Sequence, residues 1–188
     1  MTTTSMVAII ALIAALVAVI AASVYLSTRR TRRLREKFGG AEYDRSLKDA
    51  GSRRRTESGL DQRSARVGRF NVQPLSPADR TRFEESWRRL QPRFVDGPIG
   101  AVAEADQLMR DVMSARGYPV TEFEQRADDI SVDHPLVVEH YRTAHEIALR
   151  QQKGEATTED LRQAMIHYRT LFEDLVGLPE PQHAAAAS

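Results

Sequence analysis

The stretch from Met6 to Leu26, MVAIIALIAALVAVIAASVYL, constrains this chain more than any other. Its twenty-one residues carry no charge, and only Ser23 and Tyr25 have polar side-chain groups. At about 1.5 Å per helical residue the stretch reaches about 31 Å, enough to cross a hydrocarbon core of about 30 Å. The sequence therefore predicts a transmembrane helix over residues 6–27, behind a short leader at 1–5.

Sidedness follows from the flanks. No Lys or Arg precedes Met6, whereas Arg29, Arg30, Arg32, Arg33, Arg35 and Lys37 follow the span directly, opposed only by Glu36. Basic residues stay on the cytoplasmic side of an inserting helix. The expected arrangement is a single-pass signal-anchor in the cell membrane, N-terminus outside and C-terminal domain cytoplasmic. A cleaved signal peptide, suggested by Ala21-Ala22-Ser23, needs its basic segment before the apolar run and a core of about 7–15 residues, and the sequence offers neither.

Splitting the charge is more informative than the overall balance of +1. Residues 28–72 hold fourteen Lys/Arg against six Asp/Glu, a net +8; residues 73–188 hold thirteen against twenty, a net −7. The first of these segments contains a basic juxtamembrane tether, 28–69, helical or partly disordered. Its arginines suit an inner leaflet with anionic headgroups, each contributing about 1 kcal/mol within a Debye length. The acidic remainder is a poor nucleic-acid ligand. Because the chain has no Cys, disulfides, thiolate catalysis and Cys-ligated metal are excluded.

Beyond the span the patterning is helical. Leu34/Phe38 and Tyr43/Leu47 are i,i+4 pairs interrupted by Gly39-Gly40, which predicts a jointed helix. Phe70, Val72 and Leu75 alternate with polar residues up to Pro74, predicting an extended strap whose apolar side lies on the domain. Ser76-Pro77-Ala78-Asp79 starts a helix over 77–95 with Phe83, Trp87, Leu90 and Phe94 on one face.

Pro98 opens a second helix with Val102, Ala105, Met109 and Val112 as its stripe, widened by Leu108 and Met113 and stopped by Gly117 and Pro119. Thr121 and Glu124 read as a capping box for a short third helix to about Asp129, held by Phe123 and Ala127. Asp133 reads as the cap of a fourth, with Val137, Tyr141, Ala144 and Ala148 inward and Lys153-Gly154-Glu155 at its end. Thr157 or Thr158 caps a fifth carrying Leu161, Ala164, Met165, Tyr168, Leu171, Phe172 and Leu175. The expected fold class is all-α: one transmembrane helix, a basic segment, then a bundle of four to five helices over 70–178 and a disordered tail, 179–188.

Chemistry-bearing patterns are sparse. His134, His140 and His145 lie near Asp133, Glu139 and Glu146, but no two of these histidines are three or four residues apart, and His145-Glu146 begins an H-E-x-x-H motif that lacks its second His. Tyr141, His145, His167 and Tyr168 suit a buried polar cluster between the last two long helices. Neither a phosphate-cradling glycine loop nor a nucleophile elbow occurs. The Arg53-Arg54-Arg55 triplet lacks the interleaved aromatic residues of a nucleic-acid stacking platform and fits lipid headgroups better. Trp87 is the natural anchor for a protein partner if its stripe is left partly uncovered. No catalytic, metal or cofactor-binding residue is assigned.

The segments at 96–106, 112–119, 131–142 and 157–169 resemble those of uncharacterised single-pass membrane proteins of high-GC, actinobacterial bacteria. That resemblance implies the architecture and brings no activity with it. The expected function is a membrane-anchored, non-enzymatic interaction or scaffold protein that presents an acidic bundle to a protein partner. The alternative is a bundle holding a metal or small ligand near His134 and His145, a hydrolase included.

Overall fold

The computed structural model describes residues 3–177, with side chains from Leu12 onward. The expected tail at 179–188 and the first residues of the leader lie outside the described residues. Seven helices follow one another: α1 Thr3–Ala50, α2 Arg53–Val67, α3 Pro77–Asp96, α4 Pro98–Ala115, α5 Phe123–Asp133, α6 Val138–Gln152 and α7 Thr158–Gly177. No strand occurs among the described residues. The chain divides into two compact units, 1–57 and 58–188.

In the first unit, α1 contains the one helix among the described residues that is long and apolar enough to cross a membrane. Its most apolar window has a mean hydropathy of 1.9, and none of that window is buried. Every side chain from Leu12 to Arg30 is exposed. The helical path then breaks at Gly39, whose φ of 71° and ψ of 159° are not helical. Only glycine enters that region without a steric penalty from Cβ.

The break redirects the chain. Arg35 and Asp44 are nine residues apart, which in an unbroken helix would put them on opposite faces and about 13 Å apart along the axis. Here their side chains meet at 2.5 Å. Gly51, at φ 66°, makes a second turn into α2. The helix is jointed at Gly39, and Leu34, Phe38 and Tyr43 around the joint are buried.

The second unit buries its core among five helices, α3 to α7. Pairings of α6 with α7, α3 with α4 and α4 with α7 are the most extensive, and α5 packs on α6. The helix stripes account for the interior. Val102, Ala105, Leu108, Met109, Val112 and Met113 of α4 are buried, as are Leu161, Ala164, Tyr168, Leu171, Phe172 and Leu175 of α7. Ser76 caps α3 as expected, accepting the Asp79 N–H at 3.0 Å.

The strap over 71–76 is extended, and Leu75 on it is buried. Its Gln73 N–H donates to the Arg116 carbonyl at 2.9 Å. Gly117 makes this approach feasible: at φ 94° it tolerates the left-handed backbone, and a Cβ there would lie 2.3 Å from the Asn71 carbonyl oxygen.

Two helix starts differ from expectation. The Thr121/Glu124 capping box does not form: Glu122 is the N-cap of α5 and makes no side-chain cap bond. Asp133 is the last residue of α5, four residues further than expected, and accepts the Tyr118 hydroxyl at 2.7 Å instead of capping α6. The His134–Val137 turn intervenes, and α6 begins at Val138 without a side-chain cap. Ile130 and Val132 continue the buried side of α5 beyond Ala127, and that burial carries the helix past Asp129.

Candidate functional site

Burial of polar groups between α4, α5, α6 and α7 makes the most concentrated chemistry in the bundle. Tyr168 and Tyr141 are fully buried, and their hydroxyls cannot go unpaired without cost. Tyr168 Oη donates to Asp106 Oδ1 at 3.1 Å, and Arg110 closes on the same carboxylate one helical turn away. Tyr141 Oη accepts from Arg126 Nε at 2.7 Å, while Arg126 Nη1 donates to the Thr121 carbonyl at 2.6 Å.

Burial pushes the Tyr141 phenol up to about 12, with Arg126 opposing that rise. Tyr168 is raised further, first by burial and then by the adjacent Asp106 charge. Both therefore act as neutral hydroxyls at neutral pH. Each of these contacts satisfies a group that would otherwise be stranded, which is the work of a structural clamp.

The expected cluster of Tyr141, His145, His167 and Tyr168 is divided. The two tyrosines join the clamp. His145 lies flat on Phe123, ring centroids 3.5 Å apart and planes 10° apart, and burial lowers its pKa. His167 on α7 meets His140 on α6, Nδ1 to Nδ1 at 2.8 Å.

His134 is separate again. It is buried in the turn before α6, with Nδ1 2.5 Å from Asp174 Oδ2. Seven residues of α6, about 10 Å along the axis, separate Val138 beside that turn from His145. His134 and His145 are thus not brought together. No group of three or more His, Asp or Glu suited to a metal ion occurs among the described residues.

Trp87, the expected anchor, is nearly covered and stacks on Phe172 with centroids 5.0 Å apart. Its remaining edge belongs to a shallow groove of about 200 Å³ between α3 and α7, lined also by Gln91, Phe94, Met165, Ile166, Arg162 and Arg169. Both arginines are about half exposed and hold acids on their own helix, Glu159 and Glu173.

The residues expected at the membrane surface sit on α1. Arg29 lies over the Tyr25 ring, Arg32 pairs with Glu36 at 2.9 Å, Arg35 with Asp44, and Lys37 lies over Phe38. Arg33 is exposed. Arg30 and Arg53 both reach Glu57, at 3.8 and 3.1 Å. Arg53 Nε also donates to Thr31 Oγ1 at 2.8 Å, so the second arginine run returns to the first.

Sequence reading missed Asp106, Arg110 and Arg126. A signal for two of them exists: Asp106 is four residues after Val102 and three before Met109, and Arg126 is three after Phe123 and four before Ile130. A charge inside an apolar stripe requires a partner. The His140–His167 pair leaves no such trace, because it joins two different helices.

Comparisons with protein-family models, curated proteins and solved structures find no match to this chain.

Proposed function

We propose that this protein is a membrane-anchored, non-enzymatic interaction module with its N-terminus outside and the acidic bundle in the cytoplasm. The observation that carries the reading is the bare apolar helix of α1, whose described span side chains are all exposed and which runs straight into an arginine-dense, folded segment. Arg29, Arg30, Arg32, Arg33, Arg35 and Lys37 then lie at the inner leaflet against anionic headgroups.

The partner side of the proposal rests on the groove between α3 and α7. Its apolar lining, Trp87, Phe94, Met165 and Ile166, suits an amphipathic segment of a protein held in the same membrane. Confinement raises the effective concentration of such a partner, so a modest contact suffices. The buried polar clamp is internally satisfied, which supports a binding role over catalysis at that cluster.

Reporters fused at Ser188 test the sidedness. A cytoplasm-only reporter is expected to be active there and a periplasm-only reporter silent; the reverse result sinks the proposal. For the partner, Ile166→Glu should abolish co-purification in mild detergent of whatever the wild-type chain retains. Ile166 is exposed on the groove, so the bundle should keep its thermal midpoint.

A further inference from the structure

The contact between His140 on α6 and His167 on α7 has a use beyond joining two helices. Their Nδ1 atoms converge at 2.8 Å and the ring centroids lie 5.1 Å apart with planes at 35°. Both residues are only partly buried, so solvent and small ions reach the pair.

With both rings turned so that their Nδ1 lone pairs meet on one ion beside the Nδ1–Nδ1 line, this separation suits one coordination geometry better than another. Two nitrogens bound at about 2.0 Å on adjacent corners of a square plane are about 2.8 Å apart, whereas tetrahedral coordination at the same bond length needs about 3.3 Å. Imidazole pairs with water completing the plane are a coordination type that Cu2+ and Ni2+ favour. We propose that His140 and His167 form a two-histidine site for a divalent transition ion of tetragonal preference, Cu2+ foremost.

The protonation balance is simple. In the metal-free pair one Nδ1 carries the proton and donates it to the other. When the ion binds, both rings adopt the Nε2–H tautomer and each Nδ1 lone pair goes to the metal, so neutral rings release no net proton. The site holds α6 and α7 together across their extensive contact, so occupancy stabilises the bundle.

The untagged full-length chain in detergent micelles, titrated with CuCl2 alone, tests the assignment. One equivalent should bind, with electron paramagnetic resonance showing coupling to two imidazole nitrogens. H140Q and H167Q should each weaken binding by about ten-fold or more and remove one nitrogen coupling. H183A, which alters a histidine outside the described residues, should change neither. A measurement that needs no variant guards against misfolding: substoichiometric Cu2+ should broaden the His140 and His167 ring resonances first. Binding unchanged in the H140Q/H167Q double variant, or broadening that begins at another histidine, overturns the proposal.

Discussion

Gly117 concentrates two constraints on one residue, a positive φ and a backbone neighbour where a side chain would go. Gly117→Ala should therefore cost about 1–3 kcal/mol, read from urea or thermal unfolding. Gly100 is the contrast. It is helical within α4 with open space around its Cα, so Gly100→Ala should be neutral or stabilise by up to about 1 kcal/mol. Tyr168→Phe strands one oxygen of Asp106 and should lose about 1–3 kcal/mol while leaving the helical content unchanged by circular dichroism. Glycine positions were legible in the sequence because turn chemistry is local. The partners of Tyr141 and Tyr168 were not, since Arg126 and Asp106 come from other helices and nothing in either stripe says which will face which.

Helix ends divide along the same line. At α7 the Thr157 hydroxyl accepts the Asp160 N–H at 3.1 Å, while the Asp160 carboxylate accepts the Thr157 N–H at 2.8 Å. The sequence left Thr157 and Thr158 as alternative caps, and Thr157 takes the role with Asp160 as its reciprocal partner. Thr121 offers the same sequence signal, yet its hydroxyl is buried without a partner, because Phe123 is drawn against Tyr141 and His145 and the helix begins after Glu122. Thr157→Ala should cost about 1 kcal/mol and Thr121→Ala far less, a difference chemical denaturation resolves.

The cap also sets an acid response. Thr157 hydrogen bonds, with help from Arg150, lower Asp160 from 3.8 to about 2. Because the folded value is depressed, its contribution is present above about pH 4 and lost as pH falls through about 2. Helicity followed down that window should fall at higher pH in Thr157→Ala than in the wild-type chain.

At the scale of the molecule, the two features that organise the chain were visible without coordinates: the apolar run, and five amphipathic stripes that can only bury one another. What the sequence left open was the segment between them. Its contacts join residues far apart in the chain, Arg30 with Glu57 and Arg53 with Thr31, and Arg35 with Asp44 across the bend, none of which local periodicity encodes. Exchanging Glu57 for Gln removes the charge on which Arg30 and Arg53 converge. Proteolysis between Gly39 and Arg55 should then accelerate several-fold, with the unfolding of α3 to α7 unaffected.

An uninterrupted helix passes torque and axial thrust from one end to the other as a rod does. Gly39 is a bend in that rod, so twist imposed on the span is not delivered as twist past Phe38. It arrives as a sideways displacement of the short helical arm that Arg35 tethers through Asp44.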